Sequence, residues 1–188
     1  MDHGQRDQGG ARHLVARLSD LIDFEHWCFA CGRLNPHGLH LDFDVSHDRA
    51  QARFTAGPEH SGFEGTVHGG IVTALIDETM GWAIFHEGVW GVTGRITVTF
   101  RQPVPVGIEL FVTADVTKRT RRSMETHGDI RDPVGTVLAE ADALFLLMPE
   151  ERRRGLEARY SRAPAAFAKV KAAVEAEEKT KVLEHGRT

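Results

Sequence analysis

The stretch His-Gly-Gly-Ile-Val-Thr-Ala-Leu-Ile-Asp-Glu-Thr-Met-Gly-Trp-Ala-Ile-Phe, residues 68–85, is apolar in nearly every direction of a helical wheel, yet it carries Asp77 and Glu78 at its middle. A helix apolar on almost all sides must be covered by its surroundings. This one is too charged at its centre to serve as a membrane span, which needs roughly 20 apolar residues in a row. A glycine-rich segment, 56–70, leads into it, and Gly88, Gly91 and Gly94 punctuate its exit.

On either side the hydrophobic period changes from helical to two. Before the helix, Leu39, Leu41, Phe43 and Val45 alternate with polar residues and predict a half-buried strand; a second short strand spans 52–55. After it come four more strand signals, at 96–100, 110–116, 124–130 and 137–148, separated by turns at Gly107, 118–122 and 132–135. Consecutive strands with short connections favour an antiparallel sheet, and the single long apolar helix has to pack on it. The expected fold is therefore α+β, an antiparallel sheet wrapped around one central helix. Ala11, Leu14, Val15, Leu18, Leu21 and Ile22 predict an amphipathic helix over 11–22, and Phe167, Val170 and Val174 a thin apolar stripe on a charged helix over 164–183. We divide the chain into an N-terminal helical extension (1–27), a main domain (28–149) and a charged helical tail (150–188).

The 188 residues suit one domain with short extensions. Apolar residues make up 41% and charged residues 27%, the balance of a water-soluble globular chain. With 23 basic against 27 acidic residues and no basic stripe, nucleic acid is not the expected partner, nor is a membrane. The opening MDHGQRDQGG lacks a basic-then-apolar leader pattern, and two cysteines cannot build a disulfide framework, so a cytoplasmic setting is expected. Cys28 and Cys31 form a Cys-x-x-Cys pair with His26 and His37 nearby in sequence, which is half of a zinc motif. We read them as packed thiols and expect no metal and no cofactor.

Nucleophile elbows, zinc-protease motifs and phosphate loops are missing from the sequence. The feature that remains is His68-Gly69-Gly70 at the start of the helix with Asp77 two turns further on. Unpaired N–H groups and the positive dipole end at a helix start can hold an anionic oxygen. Burying a carboxylate costs several kcal/mol unless it is paired or protonated. Gly69 N–H could polarise a carbonyl while Asp77 activates water or attacks the carbon itself. Alternatively, Gly-Gly is only a tight turn and Asp77 pairs with a buried arginine such as Arg95.

The segment His68 to Glu78, with the Asp nine residues after the His, resembles the signature of hotdog-fold thioesterases of the phenylacetyl-CoA thioesterase type. Cys-x-x-Cys-Gly, Asn35-Pro36-x-Gly38-Leu39 and Thr93-Gly94-Arg95-Ile96 also resemble the branch containing the human mitochondrial acyl-CoA thioesterases, and the resemblance runs from about Cys28 to Pro149. It implies hydrolysis of an acyl-CoA, Asp77 as catalytic carboxylate, Gly69 as oxyanion donor, Thr93 as an assisting hydroxyl and His68 as loop support. It also implies a homodimer or dimer of dimers, with Asp77 of one chain facing Thr93 of the other. Many relatives carry Asn, Gln or Glu six residues before the motif histidine, where this chain has Gly62. Phe63 and Gly70 are candidate acyl-pocket residues, and Arg121 and Arg122, in the basic turn, are candidates for the phosphates of coenzyme A. Two other readings compete: an acyl-CoA-binding protein without catalysis, and a hydratase or dehydratase pairing His60 with Glu78.

Overall fold

The alternation of buried and exposed residues along 109–147 builds a meander of three long strands, and everything else is arranged around it. The computed structural model describes residues 16–17, 25–46, 48–85, 89–157, 168–169, 172–173, 175–176 and 179. In chain order the elements are β1 (Ala16–Arg17), β2 (Phe43–Ser46), β3 (Arg49–Thr55), a 3-10 turn (Pro58–His60), β4 (Ser61–Phe63), β5 (Thr66–Val67), α1 (Gly69–Phe85), β6 (Gly91–Phe100), β7 (Glu109–Arg119), β8 (Ser123–Arg131), β9 (Val137–Leu147) and α2 (Glu150–Glu157). The large sheet is antiparallel in the order β1-β2-β3-β7-β8-β9-β6, and β4 pairs with β5 in a small ribbon ahead of the helix.

A trough of small side chains seats α1 on the sheet. Ala50, Ala114, Gly128, Ala141 and Val98 are cross-strand partners in one row from β3 to β6. Partners in a row share a face, so the row is thin where the helix crosses it. A Cβ at Gly128 would stand 2.9 Å from Ile76 Cγ2 and 3.1 Å from the Thr113 carbonyl oxygen, so glycine sets the helix-to-sheet spacing. Val72, Leu75, Ile76, Met80, Ala83 and Ile84 fill the space above the trough and are buried. Trp82 closes the far end, stacked on Phe43 with ring centroids 5.6 Å apart.

The expected two strands, helix and four strands appear in that order, joined by the short β1, β4 and β5; β3, β6, β7 and β8 run longer than the periodicity marked, whereas the first expected strand, from Leu39, begins only at Phe43. Two expectations need correction. Ala16 and Arg17 lie inside the predicted 11–22 helix but pair as a strand with Val45 and Asp44, and an Arg17–Asp42 ion pair at 3.3 Å anchors them; the rest of that segment lies outside the described residues. The edge of β2 offers free backbone groups there, and sheet pairing overrides the helical pattern. Secondly, α1 is not covered on all sides within one chain. Gly70, Thr73, Ala74, Asp77 and Gly81, which follow one another at helical spacing, are all partly or fully exposed. In the tail, residues 168, 169, 172, 173, 175, 176 and 179 are helical, whereas Phe167, Val170 and Val174 lie outside the described residues. Among the described residues no helix is long and apolar enough to cross a membrane.

Candidate active site

Helix α1 begins at a built cap. The His68 carbonyl accepts the Ile71 and Val72 N–H groups at 2.9 and 3.1 Å, and its ring Nδ1 accepts the Gly70 N–H at 2.9 Å. His68 is itself held by its own N–H, which donates to the His60 carbonyl at 2.8 Å. The histidine thus satisfies one of the orphan donors of the first turn, the Gly70 N–H next to Gly69. A Cβ on Gly69 would sit 3.4 Å from the Phe100 ring, while a Cβ on Gly62 would sit 3.0 Å from His68 Cα. The second distance explains the glycine at position 62: the ribbon β4–β5 presses so closely on the cap that a longer side chain would displace it.

Asp77 lies two turns further along. Its carboxylate Oδ1 accepts a hydrogen bond from Thr93 Oγ1 at 2.8 Å. Burial pushes its carboxyl above the usual carboxylate range; the Thr93 hydroxyl opposes that shift, and the nearby Cys28 charge adds to it. Thr93 reaches the helix because of a bulge in β6. Thr93 pairs with Phe145 and Arg95 with Leu144, so Gly94 is the extra residue, and the bulge aims Thr93 and Ile96 to the same, helix-facing side. Arg95 is thereby turned to the opposite face and is exposed, which removes it as the partner of Asp77. The Thr93–Asp77 bond forms within one chain, whereas the resemblance implied a contact across protomers.

Eight residues separate Gly69 from Asp77 on one helix, about 12 Å of axial rise. An oxyanion donor has to lie within about 3 Å of the carbonyl oxygen, and a base acting through one water within about 3 Å of that water, a bent path shorter than the rise between Gly69 and Asp77. Within a single chain the two groups therefore cannot serve the same carbonyl. Phe63 is 84% exposed beside the cap, and Phe100 is 54% exposed although its row faces the helix. Phe100 escaped the sequence reading; its inward register on β6 was the available signal. Arg121 and Arg122 sit exposed in the β7–β8 turn, where the Arg122 carbonyl accepts the Leu147 N–H at 2.9 Å. That turn lies at the Thr93 end of the sheet, since Met124, Phe145 and Thr93 are cross-strand partners.

The pairing considered for a hydratase does not form. His60 Nδ1 accepts the Gly57 N–H at 2.9 Å and its ring meets Phe54 edge-on. Glu78 points away from that loop to a different cluster, accepting from Cys31 Sγ at 2.9 Å and from Trp82 Nε1 at 3.2 Å.

Comparison with known proteins places this architecture. Residues 64–139 match the model of the Thioesterase superfamily. The fold is the hotdog fold of that superfamily. A hotdog chain solved as a thioesterase superfamily protein superposes with a TM-score of 0.60 at 25% identity, covering 73% of this chain and 68% of that one. The hotdog PaaI protein of E. coli superposes at 0.57 with 20% identity, covering 59% of this chain and 81% of its own, and shows the fold alone. Among curated relatives, acyl-coenzyme A thioesterase THEM4 of Xenopus laevis is 29% identical over 118 residues, which is 60% of this chain and 53% of that protein. Human acyl-coenzyme A thioesterase 13 is 29% identical over 85 residues, covering 44% and 61%. The chain thus spans about half the length of the first curated relatives it matches.

Proposed function

We propose that this chain is an acyl-CoA thioesterase, hydrolysing an acyl-CoA to the free acid and coenzyme A, with Asp77 as general base. The observation that carries the reading is the Thr93–Asp77 hydrogen bond on a partly open face of α1. Thr93 occupies Oδ1 and fixes the carboxylate plane, which leaves Oδ2 to accept a proton from water. The resulting hydroxide adds to the thioester carbonyl carbon, the C–S bond breaks, and the coenzyme A sulfur leaves and takes up a proton. The developing oxyanion needs a donor about 3 Å away, and Gly69 N–H of a second copy can supply it because that of the same chain is out of reach. Relatives named acyl-coenzyme A thioesterases, and a solved hypothetical thioesterase protein from Streptococcus pneumoniae TIGR4 described with coenzyme A, support the substrate class.

The working unit in this reading is a homodimer or a dimer of dimers. Strand β6 is the ten-residue free edge of the sheet, and most of its residues are exposed in the single chain. An edge of that length is a template for pairing with another copy. Phe63 and Gly70 line the acyl side of the proposed site, and Arg121 and Arg122 extend toward the coenzyme phosphates. A cytoplasmic setting is proposed as well, and the free thiols of Cys28 and Cys31 support it.

The test is thiol release from a panel of aromatic, short and long acyl-CoAs. Asp77→Asn keeps the shape but cannot accept a proton, so turnover should fall by about 10²-fold to 10⁴-fold while acyl-CoA binding persists. An inert wild-type chain that still binds acyl-CoA would replace this reading with that of a binding protein.

A further inference from the structure

On the buried flank of α1, one residue beyond Asp77, lies a cluster that the proposed hydrolysis does not use. The segment Cys28-Phe29-Ala30-Cys31-Gly32 folds as a tight knuckle, with Gly32 N–H donating to the Cys28 carbonyl at 2.9 Å and Leu34 N–H to the His26 carbonyl at 3.2 Å. A Cβ at Gly32 would come within 2.2 Å of the His26 carbonyl oxygen and 2.5 Å of Cys28 N, so only glycine closes this turn. The backbone N–H groups of Ala30 and Cys31 hydrogen-bond the Cys28 sulfur. Glu78 meets the knuckle from the helix: its Oε1 is 2.9 Å from Cys31 Sγ and its Oε2 is 3.6 Å from Cys28 Sγ. Trp82 Nε1 holds Oε1 from behind at 3.2 Å.

We propose that Cys28, Cys31 and Glu78 form a binding site for a zinc-type divalent ion that ties the 26–34 turn to the central helix. The three donor atoms lie within 4.8 Å of one another. A tetrahedral zinc ion with Zn–S of about 2.3 Å and Zn–O of about 2.0 Å holds its ligand atoms about 3.5 to 3.8 Å apart, so closing around the ion takes shifts of under about 1 Å. Two sulfurs with one carboxylate select a borderline-soft metal and disfavour calcium or magnesium, which take oxygen alone.

The donor groups also act on one another. The Cys31 thiol, followed by the backbone N–H groups of Cys31 and Ala30, lowers the Cys28 thiol to about 5 against the opposing effect of burial. Burial, followed by the Cys28 charge, pushes Glu78 up to about 7. His26 is the nearest further donor, with Nε2 at 4.0 Å from Cys31 Sγ. Its Nδ1 accepts the Cys28 N–H at 3.3 Å, which leaves the ring proton on Nε2. His26 is therefore an outer hydrogen-bond donor to the sulfur, and the fourth coordination position falls to water. His37, the other histidine considered at the sequence level, is exposed, with its N–H donated to Asn35 Oδ1. The packed-thiol reading missed this cluster because the third ligand is 47 residues away in the chain.

The test begins with the full chain, stripped by chelator, kept reduced and titrated with cobalt(II) and then zinc. Cobalt should give one equivalent of thiolate-to-metal charge transfer with tetrahedral visible bands, and zinc should bleach them stoichiometrically. Cys28→Ser and Cys31→Ser should abolish the charge transfer, Glu78→Gln should weaken zinc by at least about 10²-fold, and His26→Ala should weaken it by about 10-fold. Zinc should also raise the Tm of the stripped protein by about 5 °C or more. Wild-type protein with two titratable thiols and no cobalt charge transfer overturns the proposal without any variant. So does a Cys28–Cys31 disulfide as the form isolated from cells, or undiminished zinc affinity in Glu78→Gln.

Discussion

Thr93 and Asp77 form a pair in which one hydroxyl decides how a carboxylate is presented. Removing that hydroxyl while keeping the shape, Thr93→Val, should lower kcat less than Asp77→Asn does and leave Tm nearly unchanged, because the bond is exposed to solvent. Steady-state kinetics and thermal melts on both variants check this, and unchanged turnover in Thr93→Val removes the residue from the mechanism. A contrasting threonine lies in the core. Thr126 on β8 is 1% exposed, and its Oγ1 has no hydrogen-bond partner among the described residues. A buried unsatisfied hydroxyl is destabilising, and an apolar group of the same shape is not. Thr126→Val should therefore stabilise the fold by about 1 kcal/mol, raising Tm by about 2 to 4 °C. A lower Tm would show that the hydroxyl has a partner.

At the scale of elements, the contact between α1 and the trough of small residues fixes where Asp77 stands relative to β6. Gly128→Ala adds one methyl at the closest approach of helix and sheet, against the Ile76 side chain and the Thr113 carbonyl. The Thr113 carbonyl on the neighbouring strand leaves the methyl no room within the sheet, so it pushes on Ile76 and Met80 of α1, and overpacking of this kind costs about 1 to 3 kcal/mol. Chemical denaturation should show that loss with an unchanged m-value. Turnover should fall beyond what stability accounts for, because a push on α1 lengthens the Thr93–Asp77 bond. The opposite end of the same helix offers a cleaner removal. Gly69 is the first residue of α1, where proline is well tolerated, so Gly69→Pro deletes the proposed oxyanion N–H without breaking the helix. Turnover should fall by about 10²-fold to 10³-fold with near-native circular dichroism.

For the whole molecule, the 12 Å rise between Gly69 and Asp77 turns a question of chemistry into one of assembly. If each site takes its base from one copy and its oxyanion donor from another, two inactive variants can rescue each other. Mixing Gly69→Pro and Asp77→Asn subunits under conditions of exchange should restore about a quarter of wild-type activity: half of the dimers are mixed, and each has one intact site of two. No recovery after exchange would place both groups in a single-chain site and contradict the arrangement proposed. A monodisperse monomer at micromolar concentration, measured by light scattering, would contradict it as well. The free β6 edge and the small-residue face of α1, Gly70, Thr73, Ala74, Asp77 and Gly81, are the surfaces that such an assembly would cover.

The sequence by itself determined the order of elements and the place of the chemistry. Period-two runs and one uniformly apolar helix leave few ways to bury their surfaces, so the antiparallel sheet around α1 follows from local pattern, and Gly-Gly before a helix containing an acid is a local signal too. Even the uniform apolarity of α1 was legible, although it was read as burial within one chain, while the structure leaves the Asp77 face partly open. Only the tertiary structure decided which distant groups meet. The bulge at Gly94 turns Thr93 toward Asp77 and Arg95 away from it, an outcome of strand register that depends on β9 rather than on β6 alone. Sheet pairing at β2 recruited Ala16 and Arg17 from a segment whose periodicity is helical. Glu78 was one letter in an apolar helix until the 26–34 turn folded against it and brought two sulfurs to its carboxylate, because contacts across 47 residues leave no trace in local spacing.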